Sequence, residues 1–309
     1  MTAVIETKGL TKEYRLGLGK GNNLALDRLD LVVEEGEVFG FLGPNGAGKT
    51  TTLKILLGLI LPTSGRARLF GEEIGEVRTK ARIGFLPESP YFYDYLTARE
   101  FLFFYGKLFE IEQKILEERA NSLLKQVGLS SSADVQLRKF SKGMLQRIGI
   151  AQALINDPEL VILDEPMSGL DPIGRKEVRD LILQLKDRGK TIFFSSHIIP
   201  DVEAICDRVG ILIKGRLHNV GKLSEILETR TKCVEIVVRG LPDKMTSLAP
   251  LPSAVFQTGE NALIRVENER DVDAVLAQIK DFKGKLVSVL PVRETLEEHF
   301  IRETQKEKE

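Results

Sequence analysis

The sequence predicts an α/β fold followed by a small C-terminal α+β domain. Two short, wholly apolar runs, Val38–Leu42 and 160–163, are typical of buried strands. The first run leads into a glycine-rich loop and then into residues with helical spacing, which gives a strand–loop–helix order. Beyond this part of the chain, strand-like alternation begins again at TKCVEIVVRG. We therefore expect one domain over residues 1–228 and a second over residues 229–309.

Charge and composition argue against a nucleic-acid-binding protein. The 309 residues include 44 basic and 45 acidic side chains, for a formal net charge of −1, so no bulk field attracts nucleic acid. The only cysteines are Cys206 and Cys233, which predicts a reducing compartment without disulfides. No apolar run approaches the ~20 residues that a membrane span requires. We expect a cytosolic chain that does not itself cross a bilayer.

The glycine-rich loop after the first strand predicts a nucleoside triphosphate site. It reads G-P-N-G-A-G-K-T, which fits the G-x-x-x-x-G-K-T pattern in its usual strand–loop–helix context. Glycines let backbone N–H groups point at phosphate oxygens, and the following helix adds its positive end. Lys49 is expected to reach the β- and γ-phosphates, and the Thr50 hydroxyl to bind Mg²⁺. The predicted phosphate-binding residues are Gly43, Pro44, Asn45, Gly46, Ala47, Gly48, Lys49, Thr50 and Thr51.

Two carboxylates directly follow the second apolar run. In α/β sheets ligands gather at the carboxyl ends of strands, where both the loop and this pair would lie. Asp164 is placed to hold Mg²⁺, and Glu165 to orient and deprotonate an attacking water. Adjacent carboxylates after a strand are usually a solvated turn. The phosphate loop upstream favours the catalytic interpretation, and with it nucleotide hydrolysis.

The stretch from Ser141 to Asp171 resembles the ATP-binding cassette (ABC) family. It reads S-K-G-M-L-Q-R, then L-V-I-L-D-E-P, then S-G-L-D. The resemblance covers roughly residues 3–228, with the motifs in the family's order. It implies a P-loop NTPase of the ABC type. That fold has a mixed-sheet core, an antiparallel β subdomain and a helical lobe, here over about residues 88–150.

The resemblance also implies roles for residues that a pattern alone does not single out. Tyr14 is similar to the aromatic residue that stacks on adenine, and Glu88 stands where the family usually has a glutamine that touches Mg²⁺ and water. Ser141 and Gly143, in the signature segment (residues 141–144), resemble residues that close on the γ-phosphate held by the opposite subunit.

Two further positions complete the implied site. Asp171 ends the D-loop (residues 168–171), which in the family links the two sites across the dimer. His197 follows the apolar run TIFFSS and resembles the switch histidine that contacts the γ-phosphate. A histidine just past an apolar strand is more often structural, but the two serines before it and the end of the strand here favour catalysis.

Three residues depart from the usual family pattern. In the signature segment Lys142 replaces a glycine-like residue and Met144 replaces a frequent glutamine. Glu88 replaces the glutamine that in the family touches Mg²⁺ and water. Lys142 either adds a positive charge near the partner's nucleotide or is solvated. Glu88 can still bind Mg²⁺, yet it adds negative charge beside the triphosphate. The same variants resemble the ABC-2 branch, whose ATPases serve exporters with separately encoded membrane subunits.

An aromatic-rich segment lies between the phosphate loop and the signature segment. Thr97 and Glu100 form a capping-box pattern that predicts a helix start. The following helix is expected to bury one face made of Phe101, Phe104, Tyr105 and Leu108. Four aromatics ahead of the helix are expected to receive a short helix of a membrane subunit. They are Tyr91, Phe92, Tyr93 and Tyr95.

The C-terminal segment is predicted to be an accessory module. Its pattern reads β-α-β-β-α-β followed by a final helix, without a recognisable catalytic cluster. His299 lacks metal-like companions and is expected on the surface. A regulatory or dimer-supporting role is the default interpretation.

Together the motifs predict an ATP-hydrolysing subunit of an ABC exporter that uses ATP and Mg²⁺. The expected partners are a second ATPase subunit and an integral membrane permease, with the chain peripheral on the inner face of the membrane. The alternative is a non-transport ABC ATPase acting on ribosomes or nucleic acid, which usually carries a coiled-coil insertion or tandem heads. A switch without turnover is disfavoured by Glu165 and His197, although Glu88 leaves it open. Whether the second subunit is identical or merely related also stays open.

Overall fold

The structure is a computed structural model that describes residues 2–15, 22–226, 231–240, 254–258, 260–293 and 295–306. The chain divides into two compact units, residues 1–223 and residues 224–305. Among the described residues, no helix has both the length and the apolar character needed to span a bilayer.

The first unit is built from ten strands and seven helices, counted over its described residues. The strands are β1 (Ala3–Arg15), β2 (Asn22–Glu34), β3 (Val38–Leu42), β4 (Ser64–Leu69), β5 (Glu72–Glu73), β6 (Ile83–Leu86), β7 (Leu160–Asp164), β8 (Thr191–Ser196), β9 (Arg208–Ile213) and β10 (Arg216–Lys222). The helices are α1 (Lys49–Leu56), α2 (Val77–Ala81), α3 (Ala98–Leu108), α4 (Gln113–Gln126), α5 (Lys142–Ala153), α6 (Pro172–Asp187) and α7 (Ile199–Ile205).

A six-stranded sheet in the order β10-β9-β3-β8-β7-β6 forms the centre of this unit. All neighbours in it are parallel except β10, which runs antiparallel to β9. Strands β3, β7 and β8 are buried along their whole length, as apolar runs covered on both faces must be. Phe39 and Phe193 stack across β3 and β8 with ring centroids 5.6 Å apart. The parallel arrangement puts the carboxyl ends of these strands at one edge.

The remaining strands form the predicted antiparallel subdomain. They give a four-stranded sheet in the order β2-β1-β4-β5, in which every pair is antiparallel. The N-terminal alternation of apolar and polar residues therefore becomes β1, whose Ile5 and Leu10 are fully buried. The prediction of a mixed-sheet core with an antiparallel subdomain and a helical lobe is confirmed.

The helical lobe between β6 and β7 begins as the capping box predicts. The Thr97 hydroxyl accepts a hydrogen bond from the Glu100 N–H, and the Glu100 carboxylate accepts one from the Thr97 N–H. The predicted buried face is correct for Phe101, which is 1% exposed, but wrong for Phe104 and Leu108, which are 38% and 64% exposed. The face that packs inward is centred on Ala98, Phe101, Leu102 and Gly106.

A close helix crossing explains this rotation. A Cβ atom added to Gly106 would lie 2.1 Å from Cδ1 of Leu116 on α4, so the glycine lets the two helices approach. The contact between α3 and α4 thus decides which face is buried, and it overrides the distribution of large apolar residues along α3.

The second unit consists of an antiparallel sheet with helices. Short helix α8 (Leu223–Ile226) begins at the boundary, and the unit then contains β11 (Thr231–Arg239), β12 (Ala254–Thr258), β13 (Asn261–Val266), α9 (Val272–Asp281), β14 (Lys285–Arg293) and α10 (Leu296–Lys306). The strand order is β12-β13-β11-β14. Ile236, Ile264, Val275 and Ile279 belong to its apolar core. The helix predicted between the first two strands falls on residues 241–253, outside the described residues.

The predicted surface position of His299 is wrong. Its side chain belongs to the buried set, at 5% exposure, one turn after the fully buried Leu296. Its Nδ1 atom accepts a hydrogen bond of 2.9 Å from the guanidinium of Arg302. Residues three apart share a helix face, so His299 lies on the inward face of α10 with Leu296.

Replacement of Gly84 by alanine should destabilise the first unit by about 2 kcal/mol, through overpacking. A Cβ there would lie 1.9 Å from the carbonyl oxygen of Ala153, which is backbone and cannot rotate away. Gly143→Ala is the matched control, because its nearest neighbour is 4.0 Å away. Urea unfolding followed by circular dichroism would measure both. Equal midpoints would contradict the packing argument.

Candidate active site

The phosphate loop joins β3 to α1 and depends on two glycines with left-handed backbone angles. Gly46 and Gly48 have φ values of 80° and 110°, which only glycine adopts without strain. A Cβ at Gly48 would lie 2.4 Å from the carbonyl oxygen of Ala25. The Gly43 N–H donates to the Ser196 carbonyl at 3.2 Å, which ties the loop to the end of β8. The first turn of α1 then leaves backbone N–H groups available for an anion.

An open cleft of about 630 Å³ brings most of the predicted residues together, within the usual range for ligand pockets. Three predicted loop residues, Gly43, Pro44 and Ala47, do not line it. The predicted residues in its lining are Tyr14, Asn45, Gly46, Gly48, Lys49, Thr50, Thr51, Glu88 and Glu165. Four further residues that the sequence reasoning missed also line it, namely Asn23, Leu24, Ala25 and Lys214.

Lys49 forms a buried ion pair at the base of the cleft. Its ammonium lies 3.2 Å from Oε1 of Glu165, and the side chains are 7% and 6% exposed. The same ammonium donates to the carbonyl oxygens of Gly43 at 2.7 Å and Pro44 at 3.3 Å. A buried charge needs a partner of opposite sign, and Lys49 and Glu165 are each other's partner here.

The acidic pair sits where β7 ends and is organised by Ser195 of β8. The Ser195 hydroxyl donates to Oδ1 of Asp164 and accepts from the Glu165 N–H at 2.9 Å. Glu165 has a φ of 51°, an uncommon angle for a non-glycine residue and one that turns the chain out of the strand. Burial raises the pKa of Asp164, while hydrogen bonds from the hydroxyls of Ser195 and Thr50 oppose that rise.

His197 lies against the second oxygen of Glu165. Its Nδ1 atom is 2.8 Å from Oε2, and the imidazole is 40% exposed, so its other edge faces the solvent. The structural alternative for this histidine would bury it among apolar neighbours. The exposed ring beside a buried carboxylate fits the catalytic interpretation better.

Ser195 is a further site residue that the sequence reasoning missed, and it acts outside the lining of the cleft. The run TIFFSS indicated a strand, and its two serines were an available signal, because polar residues at the end of a buried strand need partners. Their partners are on β7 and in the loop after β8, so the role of Ser195 depends on strand order.

The signature segment and the D-loop lie outside this cleft. Ser141 caps α5 by accepting from the Met144 N–H at 3.3 Å, and Asp171 caps α6 by accepting from the Gly174 N–H at 2.9 Å. Gly143 has only Leu170 Cδ2 near its open side, 4.0 Å from an added Cβ. Among the described residues that line the cleft, none comes from either segment. One chain therefore supplies only part of the set that the resemblance implies.

A phosphate loop at a strand–helix junction, faced by an acidic pair on a neighbouring strand, defines a P-loop nucleotide hydrolase. Residues 26–168 match the family described as ABC transporter. The chain is 47% identical to an ABC transporter ATP-binding protein of Synechocystis sp., over 97% of this chain and 84% of that protein. It is also 47% identical to the bacitracin transport ATP-binding protein BcrA of Bacillus licheniformis, over 98% of this chain and 97% of that protein.

A solved structure gives the same result for the fold. A dimeric ATP-binding cassette in a post-hydrolysis state, bound to ADP and phosphate, superposes with a TM-score of 0.65 at 27% identity. The superposition covers 71% of this chain and 98% of that one. The chain belongs to the ABC transporter family of ATP-binding proteins, and its enzymatic class is that of an ATPase.

If Glu165 is the general base, as the sequence predicts, Glu165→Gln should lower ATP turnover by about 10²–10⁴-fold, because it removes the base while keeping the size of the side chain. ATP binding should persist, since the phosphate loop is unchanged. Glu159→Gln is the matched control, because this exposed carboxylate pairs with Arg82 at the other end of β7. Steady-state phosphate release measures both forms. Wild-type turnover in Glu165→Gln would remove the residue from catalysis.

Proposed function

We propose that this chain is the ATPase subunit of an exporter and that two copies enclose two ATP molecules between them. The observation that carries the proposal is the position of Ser141 and Gly143, which sit at the exposed start of α5 and not in the cleft of their own chain. A second copy would bring the same segment to this chain's nucleotide. The dimeric cassette with ADP and phosphate supports such an arrangement.

The cleft fits ATP with Mg²⁺. Tyr14 would stack on adenine, with the Lys12 ammonium 5.2 Å from its ring centroid. Thr50 and Asp164 would hold Mg²⁺, and Glu88 at the exposed rim is a third candidate ligand. Mg²⁺, when bound, offsets charge on the β- and γ-phosphates.

The protein groups around Glu165 explain how hydrolysis would be controlled. Lys49 neutralises one oxygen of Glu165 in this structure, and His197 contacts the other. A γ-phosphate is the competing anion for Lys49, so its arrival would release Oε1 of Glu165 to accept a proton from water. His197 would then be placed to donate a hydrogen bond towards the γ-phosphate while it keeps the carboxylate in position.

A cluster of exposed tyrosines is our candidate docking site for a membrane permease. Tyr91 and Tyr95 are 81% and 62% exposed, and Tyr93 packs edge-on between them and against Phe104. Phe92 does not belong to this surface, because its ring packs on the buried Phe101 at 5.4 Å. Aromatic residues are enriched at interfaces, and such a cluster suits a short helix of the permease. We therefore place the chain at the inner face of the membrane.

The two domains would divide these tasks. We propose that residues 1–228 form the ATPase domain and residues 229–309 an accessory domain that supports the dimer or regulates it. The compactness of residues 224–305 as a separate unit supports this division. Net charge of −1 gives no support to the nucleic-acid alternative. Export as the direction rests on the likeness to a bacitracin transport subunit and to the ABC-2 branch.

Gly143→Asp tests the two-copy site. The added carboxylate would face the partner's γ-phosphate, and we expect at least about a tenfold loss of ATP-dependent dimerisation from this like-charge contact. An acidic residue in the first turn of α5 favours the helix, so the fold is retained. Sedimentation velocity with ATP measures the dimer, and ATP affinity of the single chain serves as the control. Unchanged dimerisation would contradict the shared site.

Tyr91→Ala combined with Tyr95→Ala tests the docking site. Both side chains are largely exposed, so ATPase activity of the isolated chain should stay within about twofold, as expected for surface changes of small energetic effect. When the tagged variant is purified from native membranes, the permease should no longer copurify and its stimulation of the ATPase should be lost. Leu108→Ala, also 64% exposed, is the matched control. Full recovery of a permease with the tyrosine variant would exclude this surface as the docking site. Recovery of ribosomes with the unsubstituted chain would instead favour the non-transport function.

A further inference from the structure

Glu88 and Lys142 are charged side chains of the first unit without a partner among the described residues of their own chain. Glu88 is exposed at the rim of the nucleotide cleft, and Lys142 is exposed at the start of α5. Within the described parts of the chain, neither side chain makes a hydrogen bond or an ion pair. Both are departures from the usual family residue, and they carry opposite charges.

Lys142 occupies a place where a positive charge is unfavourable without an anion. It is the first residue of α5, and the N-terminal end of a helix is already positive. Its ammonium rests on the bare backbone of Gly169, since a Cβ there would lie 1.9 Å from Nζ. The ammonium therefore lies against the D-loop, and both Lys142 and its neighbour Ser141 are exposed.

Glu88 presents the opposite problem. It lines a cleft that is suited to a triphosphate, where an additional carboxylate repels the ligand. Lys49 does not compensate it, because the Lys49 ammonium already pairs with Glu165. Lys214, the other lysine in the lining, makes no ion pair with Glu88 in the described part of the chain, so a cation from outside the chain would offset the charge of Glu88.

We propose that Lys142 of one chain and Glu88 of a second copy form an ion pair across the ATP-bound dimer. The inference rests on the proposed function, in which the signature segment of each chain closes on the cleft of the other. The two-fold symmetry of such a dimer gives two equivalent pairs. One oxygen of Glu88 can face the metal while the other accepts from the ammonium.

The ion pair makes closure of the dimer depend on both Lys142 and Glu88, the two residues that differ from the usual family pattern. In the open state Glu88 opposes the triphosphate and Lys142 lacks an anion. In the closed state each charge compensates the other in a partly desolvated interface, where such pairs are stronger than on an open surface. Lys142 thereby acts as a positioning residue that favours the closed, ATP-bound dimer.

A double-substitution cycle tests the pair. The full chain is used in the Glu165→Gln form, which keeps ATP intact, and the dimer dissociation constant is measured by sedimentation velocity with ATP and Mg²⁺. Lys142→Gly is introduced with and without Glu88→Gln, so that the doubly substituted chain carries the residue types usual in the family. Lys139→Gly, at an exposed position three residues earlier, is the matched control.

We expect Lys142→Gly to weaken the dimer about tenfold more when Glu88 is present than when it is replaced, because coupling at close interface charges is of that order or larger. Lys139→Gly should weaken it equally in both backgrounds. Equal losses for Lys142→Gly in both backgrounds would overturn the ion pair and leave the shared site standing. Absence of any ATP-dependent dimer in the reference form would instead overturn the proposed function, and the inference with it. The ATP affinity of the single chain is measured in parallel. If the substitutions change this affinity as much as they change the dimer dissociation constant, the ion pair is also overturned.

Discussion

The buried ion pair between Lys49 and Glu165 is the interaction on which the rest of the site depends. It joins the phosphate loop to the end of β7, with the two charged groups 3.2 Å apart and both side chains more than nine-tenths buried. Removing either partner would leave an uncompensated buried charge, which is far more costly than the pair itself. In the proposed function a triphosphate would take the place of Glu165 beside the Lys49 ammonium.

The parallel sheet makes this pair possible. Strand β8 lies between β3 and β7, so the loop after β3 and the carboxylates after β7 are both held by its end. The backbone carbonyl of Ser196 accepts from the Gly43 N–H, and the Ser195 hydroxyl binds both Asp164 and the Glu165 N–H. The end of β8 thus connects the phosphate loop to the acidic pair, while the Ser196 hydroxyl accepts from the Ile198 N–H in the loop after the strand.

What the sequence could predict follows from how local each signal is. The phosphate loop, the acidic pair and the capping box at Thr97 depend on residues within a few positions of one another, and the structure has the loop, the strand end and the helix start as predicted. The prediction of the buried face of α3 was wrong for Phe104 and Leu108, because that face depends on the contact of Gly106 with another helix. The role of Ser195 depends on strand order in the same way, and the position of His299 depends on the packing of α10.

The same ion pair indicates why turnover would follow nucleotide binding and dimer closure and not precede them. While Lys49 pairs with Glu165, the ammonium occupies one of the two carboxylate oxygens. In the proposed dimer a γ-phosphate would attract Lys49 and free this oxygen, and a second copy would add the signature segment that holds the phosphate. Each ligand would then shift the population towards a closed state in which the base is available. Hydrolysis would remove the γ-phosphate, Lys49 would pair with Glu165 again, and the nucleotide would no longer stabilise the closed dimer.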